Sequence, residues 1–271
     1  MKIKNVLSAA LLTLAGSAAL SLAGCQKSQD SAVQPNPVTQ EVLAQIKALG
    51  FDTQGVKATE GGYLVEGDML LTTEALNDKT PFAALRVGND EQYRTTNLVT
   101  GLPRTLTVSI SSQFPSAYVT AIDEAIRRYN AAGLQLSFRR VSSGAQIPVQ
   151  YAADLGPGVL GQSGGFPSNG NPAPGFKLVP NVINSTNTNY IATIMAHEMG
   201  HCIGFRHTDY MNRQYSCGGS AYNEGSSTVG AIRIPGTPSA ADPNSWMLAC
   251  VGTNVNRPFN SNDIIALNYL Y

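Results

Sequence analysis

Charge is scarce in this sequence. Asp, Glu, Lys and Arg make up only 13 % of 271 residues, and the 18 basic and 18 acidic side chains cancel. No basic excess exists to draw in nucleic acid, and no long run of one sign marks a solvated tail. Histidine is rarer still, at 3 residues. No internal repeat is apparent. What is plentiful is apolar residues, at 43 %, together with 26 Gly and 15 Pro. That composition can bury a sizeable core under a surface rich in turns, as one large domain or two modest ones.

The N-terminus reads as an export signal. Lys2 and Lys4 precede an apolar stretch over residues 6–22, and Leu22-Ala23-Gly24-Cys25 follows. This resembles a bacterial lipoprotein signal, with cleavage after residue 24 and lipid on Cys25. An ordinary signal peptide or an uncleaved anchor is the plainer alternative. The expected location is the cell envelope, at the outer membrane or surface of a Gram-negative bacterium, with the lipid holding the chain to the membrane. Cys202, Cys217 and Cys250 then remain in an oxidising compartment, which predicts one disulfide and one leftover thiol. Cys202 with Cys217 is the expected pair, since it would pin the segment between them, and Cys217 with Cys250 is the competing one.

Residues 25–36 are polar and read as a tether. Residues 37–103 form a small α/β piece and a connector. It opens with a helix started by Asn36-Pro37 and ended by Gly50, then a hairpin with Tyr63-Leu64-Val65 and Met69-Leu70-Leu71 about Gly67-Asp68. The main domain spans 104–271. Residues 106–111, 134–141 and 148–153 alternate as strands do, and 176–184 has room for one more. Residues 116–132, 188–203 and 260–271 carry helical periodicity. Residues 156–175 are rich in Gly, Pro and Asn and read as loop, with a rim near 159–166 that could hold an edge strand for an extended peptide.

All the histidines lie in one stretch, His197-Glu198-Met199-Gly200-His201-Cys202-Ile203-Gly204-Phe205-Arg206-His207. His197 and His201 stand one turn apart on one helix face, so both rings can reach one ion. Gly204 permits a sharp turn that returns His207 as third ligand. Three neutral imidazoles suit one catalytic Zn2+ with an open fourth position. Glu198, beside the first ligand, is placed as general base for the attacking water. A helix with incidental histidines explains neither their concentration nor the Glu and Gly between them.

The eleven-residue pattern HExxHxxGxxH, with Ser245-Trp246-Met247-Leu248-Ala249 downstream, resembles the metzincin zinc peptidases. Met247 then corresponds to the methionine turn beneath the metal. Ala249 stands where several metzincins carry a tyrosine that assists catalysis, so that assistance is not expected from there. Further matches are Gly204-Phe205-Arg206-His207-Thr208-Asp209, Ile234-Pro235-Gly236-Thr237-Pro238, Asp242-Pro243-Asn244-Ser245 and Asn262-Asp263 to Leu270-Tyr271. On these the chain resembles the dual-action HEIGH metallopeptidases, with Met199 replacing the Ile of the family name. The resemblance implies an α/β (α+β) zincin with a twisted, mostly parallel sheet, a backing helix, an active-site helix, a methionine turn and a C-terminal helix. It also implies hydrolysis of protein or peptide substrates. A zinc-binding lipoprotein without turnover, and a cell-wall peptide amidase, are the competing readings.

Val65-Glu66-Gly67-Asp68-Met69 is similar to the aspartate switch of astacin pro-peptides. That likeness makes Asp68 a candidate to block the zinc in a latent form, with release by cleavage after Arg94 or Arg104, for example. The alternative is a plain hairpin in which Gly67-Asp68 is only a turn.

Overall fold

The computed structural model describes residues 36–49, 51–77, 92–221, 223–224, 230–238 and 241–271. The export signal, Cys25, most of the tether and Gly50 lie outside the described residues. No helix among the described residues is long and apolar enough to cross a membrane.

The chain begins with α1 (Gln40–Ala48), β1 (Lys57–Thr59), β2 (Gly62–Val65), β3 (Met69–Thr72) and α2 (Thr73–Asn77). Thr39 caps α1, accepting from Val42 N at 3.2 Å. Asn36-Pro37 therefore lies just ahead of the helix and does not open it. Next come β4 (Tyr93–Arg94), β5 (Arg104–Ile110), α3 (Ser116–Ala131), β6 (Leu136–Arg140), β7 (Ile147–Tyr151) and β8 (Gly161–Ser163). The remainder is β9 (Phe176–Leu178), α4 (Pro180–Ile183), α5 (Thr188–Cys202), α6 (Gln214–Cys217), β10 (Ile232–Arg233) and α7 (Ser261–Leu270). Strand β9 is shorter than its apolar run suggests. Pro180 starts α4 at the first helical position, where its missing N–H costs nothing, and Asn184 ends it in the left-handed conformation.

Eight strands form one sheet in the order β1-β2-β3-β8-β9-β7-β5-β6. Strands β9, β7, β5 and β6 run parallel, and β8 is antiparallel to β9. The hairpin β2–β3 joins this sheet through a parallel contact, Met69 with Ser163. A two-stranded sheet pairs β4 with β10.

Helix α3 buries Tyr118, Ala121, Ile122, Ala125, Ile126 and Tyr129, the face its periodicity predicts. It packs on α5, where Tyr129 Oη donates to Ala196 O at 2.7 Å. Every residue of α5 from Tyr190 to Cys202 is buried, so this helix runs through the middle of the core. Each Ile or Met side chain buried there contributes about 1.5–3 kcal/mol. A separate cluster of Ile46, Phe51, Tyr63, Val65, Met69, Leu71 and Leu76 holds the first elements together.

Candidate metal centre

Helix α5 starts at Asn187, whose side chain accepts from Asn189 N and Tyr190 N at 3.1 and 3.3 Å. It ends where Gly204 turns the chain at φ +108°. A side chain on Gly204 would also meet Leu98 Cδ2 at 2.8 Å, so the turn requires glycine on both counts. A side chain on Gly200 would meet Met247 Sδ at 2.5 Å. Met247, fully buried, packs tightly under the helix there.

The turn brings the three rings together. His201 Nε2 is 3.1 Å from His197 Nε2 and 3.2 Å from His207 Nε2. His197 Nδ1 faces Trp246 O at 3.0 Å, and His201 Nδ1 faces Phe205 O at 2.9 Å. A carbonyl only accepts, so in both rings Nδ1 carries the proton and Nε2 presents a lone pair. His207 Nδ1 lies 2.8 Å from the buried carboxylate of Glu224. The Nε2 lone pairs of His197 and His201 thus converge on His207 Nε2, an arrangement that suits a cation. Zinc with bonds of about 2.0–2.1 Å to a tetrahedral set separates its ligands by about 3.3 Å, close to the observed spacing.

Asp68 completes the group. It follows Glu66 (φ 52°) and Gly67 (φ 89°) on the turn between β2 and β3. Its Oδ2 is 3.0 Å from His207 Nε2 and 3.5 Å from His197 Nε2. The four donors lie within 4.8 Å of one another. Three contacts seat this turn. Asp68 O accepts from Ser163 N at 2.8 Å. Glu66 pairs with Arg206 Nη2 at 2.5 Å. Arg213 Nη1 donates to Glu66 O and lies 2.8 Å from where a Gly67 side chain would begin.

Glu198 is buried beside this cluster, and its Oε2 has no hydrogen-bond partner among the described residues. A Cβ on Gly161 would come within 2.5 Å of Glu198 Oε1, so β8 leaves the carboxylate its space by having glycine there. Burial, and then the Asp68 carboxylate, raise the Glu198 pKa well above the usual range. Burial works against charge on His207, but the Asp68 and Glu224 carboxylates prevail and raise it. Burial would likewise protonate Asp68, yet His207, His197 and His201 hold it well below the ordinary value. Glu66 is pushed up to about 8 by burial despite Arg206. A divalent cation among the rings favours the ionised carboxylates.

The cysteines depart from expectation. Cys217 pairs with Cys250, and Cys202 is a buried free thiol. Cys202 is rotated about a quarter turn around α5 from His201 and points into the core, where Sγ lies 3.4 Å from Gly175 O. It is therefore enclosed in the core, whereas Cys217 is exposed. Ala249 has no hydroxyl to offer the site, and its N–H donates to Asp209 Oδ1 at 2.9 Å. Glu224 and the Arg206–Glu66 pair were not expected. Nothing local signals Glu224, which sits in an unpatterned loop. The adjacency of Glu66 to Asp68 and of Arg206 to His207 was the available hint for the pair.

The sequence model of the dual-action HEIGH metallo-peptidases matches residues 63–271. The chain belongs to this family. The family is one of metallopeptidases, and zinc, its usual ion, fits the donors described. No curated protein matches the chain. Two solved structures of myroilysin are similar to it. One is 19 % identical with a TM-score of 0.33, covering 42 % of this chain and 54 % of its own. The other is 16 % identical with a TM-score of 0.38, covering 62 % and 83 %. The chain thus spans about half the length of the first.

Proposed function

We propose that the chain is a zinc-dependent endopeptidase of proteins, with Glu198 as general base, made in a latent form that Asp68 blocks. The observation that carries this reading is a buried carboxylate, Glu198, with an unpartnered oxygen beside three converging imidazoles. His197, His201 and His207 would hold the ion. Zinc, when bound, supplies a Lewis acid that polarises the substrate carbonyl and makes water more acidic. Glu198 Oε2 takes the proton of the attacking water and returns it to the leaving amine nitrogen. Glu224 keeps the His207 ring oriented through Nδ1. Asp68 stands where an incoming oxygen must arrive, and β3 pairs with the β8 edge that an extended substrate would use.

Activation then requires the Asp68 carboxylate to leave the site. Arg94 and Arg104 both sit in paired strands, which shields them from cleavage until those strands open. The lipid on Cys25 belongs to the same proposal, and rests on the sequence alone. A mature N-terminus without lipid by mass spectrometry would remove it.

The deciding experiment is Glu198→Gln, with zinc content and hydrolysis of a protein substrate measured side by side. The variant should keep its zinc and lose about 100-fold or more in rate. Undiminished hydrolysis refutes the role of Glu198. A parent protein inactive with Asp68 in place and equally inactive after its removal points to a zinc-binding lipoprotein without turnover.

A further inference from the structure

The cleft beside the histidines opens into a cavity of about 750 Å³. One wall is α5, through Tyr190, Thr193 and Ile194. The other is the segment after Met247, through Leu248, Val251 and Arg257. Arg257 is the one charged side chain this second wall contributes. Its backbone N–H donates to Thr193 Oγ1 at 2.9 Å, and its Nη1 donates to Cys250 O at 3.2 Å. Thr193 lies one helical turn before His197 on the same face. Arg257 is thus tied to the active-site helix next to a metal ligand, and Cys250 is tied in turn to Cys217.

The neighbouring arginines have anions. Arg206 pairs with Glu66 at 2.5 Å, Arg213 with Glu224 at 3.1 Å and Arg128 with Glu124 at 2.9 Å. Arg257 is half-buried and has no ion pair among the described residues. Its Nε and Nη2 groups make no hydrogen bond to them either. Burial draws its pKa down, and Asp209, Asp263 and Asp242 offset this only from beyond ion-pair distance. A half-desolvated guanidinium in a mostly apolar wall favours a carboxylate over any neutral group of the same shape.

We propose that this cavity receives the side chain of a substrate residue flanking the scissile bond, and that Arg257 selects Asp or Glu there. The proposal rests on the peptidase reading and adds its specificity. The volume admits more than one residue, so charge discriminates where size does not. Lys57 on β1 lines the same cavity and adds charge of the same sign while that segment is in place.

The test uses the full chain carrying Asp68→Ala, zinc-loaded, with and without Glu198→Gln. Its probes are peptides amidated at the C-terminus, so that only side-chain carboxylates are presented, with Glu, Gln or Lys placed at each position in turn. Binding is read on the Glu198→Gln form and cleavage on the other. At one position beside the cut bond, Glu should bind about tenfold or more tighter than Gln. Arg257→Gln should reduce that preference at least about fivefold, to what Lys57 supplies, Arg257→Lys should retain more of it, and Arg257→Glu should shift it toward Lys. Equal binding of Glu and Gln peptides overturns the proposal, as does a preference undiminished in a folded Arg257→Gln protein. Binding that discriminates without any cleavage counts instead against the peptidase reading.

Discussion

At Gly161 a hydrogen atom occupies the place of a side chain, and Glu198 uses the room. Gly161→Ala puts a methyl group 2.5 Å from Glu198 Oε1 and 2.9 Å from Leu178 Cδ2, so the carboxylate must move. The expected result is a fall in kcat of about tenfold to 100-fold with zinc content unchanged. An unchanged kcat would mean that β8 does not set the position of Glu198. Glu224→Gln tests the opposite side of the cluster. Its carboxylate holds His207 Nδ1, and partners of this kind contribute about tenfold to 100-fold in metal affinity. Competition with a chelator should show that loss, while a wild-type affinity would make Glu224 a bystander. Residues this close in sequence explain what could be read in advance. His197, Glu198, His201 and Gly204 are related by helix pitch and one turn. Glu224 meets His207 through an irregular loop, and no periodicity encodes that meeting.

Elements show the same division. The periodicity of α3, α5, β5 and β6 is long enough to average over local exceptions, and the structure has them where the pattern puts them. Strand β8 is three residues in a Gly-rich stretch, too short for any period to appear. The disulfide was unreadable for another reason. Cys202 and His201 are adjacent in sequence, but helix rotation sends one into the core and the other to the metal. Helix α7 offers a measurable property of an element. Asp263 caps it from within, accepting from Asn260 N at 3.0 Å, Trp246 N at 3.2 Å and Gln92 Nε2 at 2.7 Å. Burial nevertheless raises its pKa from 3.8 to about 6. The folded form therefore holds a proton that the unfolded chain has released between these values. Its contribution to stability is fullest below pH 3.8 and declines as pH rises to about 6. That amounts to about 3 kcal/mol. Against Asp263→Asn, whose side chain does not titrate, the parent should lose relative stability from pH 4 to pH 6.5 in thermal unfolding. A gap that does not vary with pH removes the buried-proton account.

For the whole molecule, the family match begins at residue 63, so the β2–β3 hairpin with Asp68 falls inside it. The strands before and after Asp68 extend the same sheet that carries the catalytic elements. On the proposed reading a segment seated this way both stabilises the chain and blocks the metal, and the two effects can be separated. Asp68→Ala removes one ligand and leaves the Glu66–Arg206 pair and the hairpin core in place. In the unprocessed full chain it should raise peptidase activity at least about tenfold over the parent. If it does not, while removal of residues up to about 93 activates, the block comes from β3 lying on β8 and not from the carboxylate. If neither change activates, the hairpin is an ordinary part of the fold.

Tyr271 holds a consequence for the order of events during synthesis. Its Oη donates to Ile203 O, where the active-site helix ends, and accepts from Val99 N at 3.3 Å, while its backbone O accepts from Gln135 N at 2.5 Å. The turn that returns His207 to the other two rings starts at that same carbonyl. A ribosome that has made all three histidines has therefore not yet made the residue that secures their geometry. On the proposed zinc reading, the native site is fully braced only once residue 271 has emerged. A nascent chain stalled before it would carry the complete motif and still lack a stable metal site.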